Sequence, residues 1–183
     1  ERCSAEQIKK VFLYDAKWKL VLDLGAEKAE MARNWPIAPD DFDALITTKT
    51  FTNGADEDAV KKLFRKMSVN QLGGITQLDF DGMPSISTGD ARRLGGCFNL
   101  CSNLNSLDLS SVGMSDDACK GMFSTLSNGA LASCQELHLF NNQIGDIGLS
   151  ALAKACASRA LASLQDLTLS GNAIGDVGLQ SLA

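Results

Sequence analysis

The chain is poor in histidine, a side chain on which much enzyme chemistry turns. It holds a single histidine, His138, so any Ser-His or Cys-His nucleophile pair has to be built on that one ring. Long apolar runs are missing as well. The best candidate, Leu20 to Leu24, is interrupted by Asp23 and falls far short of the roughly 20 residues of a membrane span. Positive charge is scarce: 17 Lys and Arg face 22 Asp and Glu, a formal net charge of -5. That balance argues against nucleic acid or an anionic membrane as the main partner. Gly73-Gly74 and Gly95-Gly96 lack the Lys-Ser/Thr of a phosphate-binding loop and the spacing of a dinucleotide fingerprint, and are expected to be turns. Asp56-Glu57-Asp58 lacks the alternating ligands, central Gly and closing Glu of a calcium loop. The chain opens on Glu1 rather than Met, as a fragment or a processed product would.

Six cysteines are present: Cys3, Cys97, Cys101, Cys119, Cys134 and Cys156. Their spacing does not suggest a small disulfide framework, so free buried thiols acting as small hydrophobes are expected. Cys97 and Cys101 would share a helix face. With no second cluster and one histidine, no metal site is expected, nor any cofactor or catalytic constellation.

What the sequence does have is a repeat. Residues 130–153 and 160–183 are identical at 15 of 24 aligned positions. A fixed period of this size marks a solenoid. Within it, Cys134, Leu137, Leu139, Asn142 and Ile144 answer to Leu164, Leu167, Leu169, Asn172 and Ile174. Leu137 and Leu139 alternate with polar residues, so they point inward from a short strand. The Asn can bond backbone groups where the chain leaves the strand. Asp146 and Asp176 are placed to cap the helices that follow. A degenerate copy begins near Leu72 with Ile75, Leu78, Phe80, Met83 and Ile86, and a second holds Leu104, Leu107, Leu109, Val112 and Met114. Met83 and Val112 stand where the later copies have Asn. The inner leucine returns at 78, 107, 137 and 167.

This pattern, L-x-x-L-x-L-x-x-N-x-I, resembles the leucine-rich repeat family, and its long-repeat, ribonuclease-inhibitor-like branch in particular. The resemblance implies an α/β solenoid, parallel strands inside and helices outside, over residues 71–183 in about four copies of 29–30 residues. The last copy is incomplete: it stops inside its helix at Ala183 without a polar cap, so a continuation or a covering partner is expected. Some members of the branch activate small GTPases, through loop residues that cannot be placed on this sequence.

Residues 1–70 show no repeat and are expected to be a mostly helical cap or docking region. Ser4-Ala5-Glu6-Gln7 reads as a capping box. Pro39 starts a helix, and residues 55–67 form an amphipathic one with Val60, Leu63, Phe64 and Met67 on one side. Both tryptophans, Trp18 and Trp35, lie in this region. They either help cover the end of the solenoid or meet a partner.

In the architecture implied, the residues alternating with the inward leucines line the concave face. Before the inner leucine stand Gln77, Ser106, Glu136 and Asp166; after it come Asp79, Asp108, His138 and Thr168; beyond the next core residue are Asp81, Ser110, Phe140 and Ser170. Five of the twelve are acidic and none is Lys or Arg. The expectation is a non-enzymatic interaction module or scaffold, binding a protein with a basic surface through Asp79, Asp81, Asp108, Glu136, His138, Phe140 and Asp166. The alternatives are a permanent structural subunit of a large, possibly organellar assembly held by its N-terminal region, and a GTPase regulator. The protein is expected to be soluble and intracellular, cytoplasmic or organellar if a targeting peptide has been removed.

Overall fold

Leucines recurring at this period have one way to share an interior: they stack. A computed structural model describes residues 35–49, 51, 54–81 and 83–182. Two helices come first, α1 (Pro39–Thr47) and α2 (Gly54–Leu72). Then strand and helix alternate: β1 (Gln77–Asp79), α3 (Thr88–Phe98), β2 (Ser106–Asp108), α4 (Asp116–Phe123), β3 (Glu136–His138), α5 (Asp146–Ala157), β4 (Asp166–Thr168) and α6 (Asp176–Gln180). The strands form one sheet in chain order, β1-β2-β3-β4, every pair parallel. Leu78 pairs with Leu107, Leu107 with Leu137, and Leu137 with Leu167.

The core lies between this sheet and the helices that return each coil. Leu107, Leu109, Leu137, Leu139 and Cys134 are fully buried in it, with Leu94, Met122 and Leu149 from the helices. Each buried side chain of this size contributes about 1.5–3 kcal/mol over leaving it in water. The chain leaves successive strands through residues in the left-handed region: Ser111, Asn141 and Gly171 have φ of 56°, 54° and 72°. Only short polar residues or glycine adopt that conformation readily, which is the local reason none of these positions carries a bulky residue.

The asparagines that follow stitch the coils together. Asn142 donates from Nδ2 to Leu109 O at 2.8 Å and Leu139 O at 3.1 Å, and its Oδ1 accepts the Met114 N–H at 2.9 Å. Asn172 repeats the pattern one coil on, with Leu139 O, Leu169 O and the Ile144 N–H. Between the first two coils, which lack the Asn, the Ile86 N–H donates directly to Val112 O.

The helix starts differ from expectation. Asp146 and Asp176 do not cap their own helices, whose N-caps are Gly145 and Gly175 without a capping side chain. The cap comes from the coil before. The Gly145 and Gly148 N–H groups donate to Asp116 Oδ1 at 2.6 and 2.8 Å, and the Gly175 N–H to Asp146 Oδ1 at 2.7 Å. The N-cap must then be small: a Cβ on Gly145 would sit 2.9 Å from Asp116 Oδ2. By contrast, α3 and α4 cap themselves, through Ser87 and Ser115.

Two other expectations are corrected. Gly95 and Gly96 lie inside α3 and do not form a turn. A Cβ on Gly95 would collide with Met122 O and Thr125 Oγ1, and one on Gly96 with Ala38 Cβ, so the glycines let neighbouring segments approach α3 closely. Cys101 falls beyond the end of α3 and does not share a helix face with Cys97; its thiol meets Cys97 O at 3.5 Å.

Ahead of the coils, Trp35 stacks on Phe80 with ring centroids 5.2 Å apart. A small separate cluster joins α1 to α2: Phe42 stacks on Phe64 and Ile46 lies beside them. Arg65 of α2 reaches back to Asp40 and Asp43, both at 2.7 Å. Phe64 is buried as its spacing predicts, whereas Leu63 is 48% exposed and lies off the packed face. The capping box at Ser4, the tryptophan Trp18 and Cys3 lie outside the described residues. Among the described residues no helix is long and apolar enough to cross a membrane.

Candidate interaction surface

Alternation puts every second side chain of a strand on the face away from the core. In all four strands that face holds the outer two residues, while the central leucine turns inward. The register lines up two rows. Gln77, Ser106, Glu136 and Asp166 form one; Asp79, Asp108, His138 and Thr168 form the other. Asp79 therefore stands beside Asp108, and Glu136 beside Asp166. Neighbouring strands are roughly 4.8 Å apart, so each acid has a like charge or a polar group as its nearest lateral neighbour.

The third row lies past the ends of the strands, and it is not uniform. Asp81, Phe140 and Ser170 are exposed, Phe140 at 44%. Ser110 is fully buried and leaves the face; its hydroxyl has no hydrogen-bond partner among the described residues. Two of the middle-row acids hold the backbone two residues on. Asp79 Oδ1 accepts the Asp81 N–H at 2.9 Å, and Asp108 Oδ1 accepts the Ser110 N–H at 2.8 Å. Such two-residue side-chain turns steer the chain off the strand direction. One oxygen of each carboxylate is engaged in this way.

A family model described as Leucine Rich repeat matches residues 135–153 and 160–183. Those stretches are the third and fourth coils, from β3 into α5 and from β4 into α6. The fold is a leucine-rich repeat solenoid. No curated protein matches the chain.

In this leucine-rich repeat sheet His138 is the one histidine. Register sets it beside Asp108, but its Nδ1 bonds Thr168 Oγ1 on the other side at 2.7 Å. Among the described residues no serine or cysteine hydrogen-bonds to it, and no group of His, Cys, Asp and Glu is arranged to hold a metal ion. The described thiols are free: Cys97, Cys101, Cys119 and Cys134 are buried and Cys156 is partly so. Burial pushes all five thiols above the ordinary range, Cys119 up to about 12 and Cys134 up to about 11. Such thiols stay protonated and are poor nucleophiles.

Trp35 is half-buried against the first leucine-rich coil, and Trp18 lies outside the described residues. The surface thus gathers Asp79, Asp81, Asp108, Glu136, Asp166, His138 and Phe140 on or beside one sheet, with Trp35 at its first coil. What sequence reasoning missed is the carboxylate of Asp116, which serves the next coil. The signal was present: Gly145 and Gly175 occupy N-cap positions in place of the Ser115 of the coil before.

Proposed function

We propose that this protein is a non-enzymatic protein-binding module that engages a basic surface of its partner through the open face of the sheet. The observation that carries the reading is the lateral pairing of Asp79 with Asp108 and of Glu136 with Asp166, on a face whose twelve expected positions hold no Lys or Arg. Leucine-rich repeats generally serve protein–protein interaction, and stacked repeats offer extended surfaces for it. The period of 29–30 residues with one helix per coil supports the ribonuclease-inhibitor-like branch. Phe140 supplies an apolar anchor beside the acids. Complementary charge of this kind raises the rate of encounter more than the final affinity.

The test is kinetic. The partner is captured from the native source and identified by mass spectrometry, and its association is timed with the wild type and with the Asp79→Ser, Asp108→Ser double variant. At low salt the variant should associate about tenfold more slowly, within the range of electrostatic steering. Its unfolding curve should be unchanged. Equal association rates would make the acidic rows ordinary solvated surface.

A further inference from the structure

The helical side of the molecule carries a second surface of opposite character. Ile147, in the first turn of α5, is 63% exposed although its coil is internal, and Val177, its counterpart one coil on, is 69% exposed. The same place in the preceding coil holds Asp117. Along α4 and α5 runs an open groove of about 570 Å³, lined among others by Phe123, Ala151, Ile147 and Val177. Ile147, Ala151 and Lys154, with Ser158 at the C-cap, follow one face of α5 across about three helical turns, a length of roughly 16 Å at the rise of an α-helix.

Charge sets this groove apart from the sheet. From residue 73 onward the chain has five Lys and Arg: Arg92, Arg93, Lys120, Lys154 and Arg159. Arg92 and Arg93 pair with Asp41 and Asp90. Lys120 and Lys154 both line the groove, and neither has an ion-pair partner among the described residues. Asp146, also in the lining, has its Oδ1 occupied by the Gly175 N–H. Asp146 keeps its charge, so the lining sets two lysines against one carboxylate, and apolar surface and a modest excess of positive charge meet along a strip the length of a short helix.

The geometry points to a docking site here for an amphipathic helical segment of another protein, its apolar residues flanked by carboxylates. Such a helix lays side chains at i, i+3, i+4 and i+7 into the groove, and its acids meet Lys120 and Lys154. The site is separate from the sheet face and selects the opposite charge.

Two synthetic helical peptides test this, both with leucines at those four positions, one flanked by Glu and the other by Lys. Binding is read by fluorescence anisotropy, and the site is mapped by amide NMR shifts. The Glu peptide should shift amides of α4, α5 and the first turn of α6. Ile147→Asp should weaken its binding by about tenfold or more, the scale of losing one central anchor. Lys120→Glu with Lys154→Glu should transfer the preference to the Lys peptide. All three positions are partly or well exposed, and thermal unfolding confirms that each variant is folded. Asp79→Ser with Asp108→Ser should bind the Glu peptide as the wild type does, which keeps this test independent of the sheet-face reading. Absence of binding, shifts confined to the strands, or an unchanged preference in the double Lys variant would overturn the proposal.

Discussion

The carboxylate of Asp116 caps a helix whose N-cap lies 29 residues later, taking the Gly145 N–H at 2.6 Å. The same oxygen takes the Gly148 N–H at 2.8 Å. Hydrogen bonds to a charged acceptor are worth about 1.5–3 kcal/mol each in net terms. Asp116→Ala should therefore lower stability by about 2–4 kcal/mol in urea unfolding, whereas Asp117→Ala, an exposed neighbour, should stay within about 0.5 kcal/mol. Equal effects at the two positions would refute the cross-coil cap.

Asn142 makes a comparable bridge with a different chemistry. Its amide donates to carbonyls of two coils while its oxygen accepts from a third segment. Asn142→Asp keeps the shape and removes the donors, leaving buried carbonyls facing a buried carboxylate. The cost should be at least about 3 kcal/mol, that of an unpaired buried charge, and exceed that of Asn142→Ala. Chemical denaturation of the two variants side by side decides it.

Glycines that look alike in the chain should respond in opposite directions. Gly95 faces the Met122 carbonyl with no space for a methyl group, so Gly95→Ala should destabilise by about 1–3 kcal/mol through overpacking. Gly121, in α4, meets only ordinary contacts, with Thr88 O 3.4 Å from an added Cβ. Gly121→Ala should gain up to about 1 kcal/mol from helix propensity. Thermal unfolding of both variants checks the contrast.

Buried thiols make the protein sensitive to base. Burial raises Cys101 and Cys119 to about 12 and Cys134 to about 11, above the roughly 8.5 of an unfolded thiol. Above that value the unfolded chain loses thiol protons that the folded chain keeps. Stability contributed by the neutral thiols is thus complete below pH ~8.5 and falls as pH rises toward the folded values. Unfolding measured between pH 7.5 and 10 should show the decline, and Cys119→Ala should reduce its slope. At pH 8 a thiol of pKa about 12 is ionised to roughly one part in ten thousand, so iodoacetamide should modify Cys156 before any of the buried four.

Most of the solenoid could be read from the chain because its signal is arithmetic. Leucines at positions 78, 107, 137 and 167 have one consistent stacking, and the observed register follows it. The rows of the sheet face followed from the same count. One source of misreading is that contacts between coils recur at the repeat period, so the sequence cannot distinguish a residue serving its own coil from one serving the next. Asp146 looked like a cap for α5 and serves the start of α6. Gly95-Gly96 looked like a turn because a pair of glycines is compatible with either a bend or a tight crossing. Ser110 looked exposed because alternation was carried one step past Asp108, where the strand had already ended. The groove at Ile147 escaped notice because an apolar residue in a helix reads as core unless the neighbouring helix is in view.

Because the carboxylate caps of α5 and α6 and the asparagine bridges reach from one coil to the next, the natural unit of change is a whole turn of the solenoid. Adding or removing a full thirty-residue copy between α4 and β4 would reproduce these cap and bridge matches at the new junctions. Cutting within a copy would leave Asp116 or Asn142 facing a stranger. Domain length in this architecture should thus vary in integral steps, with each step lengthening the sheet by one strand width and leaving its chemistry intact.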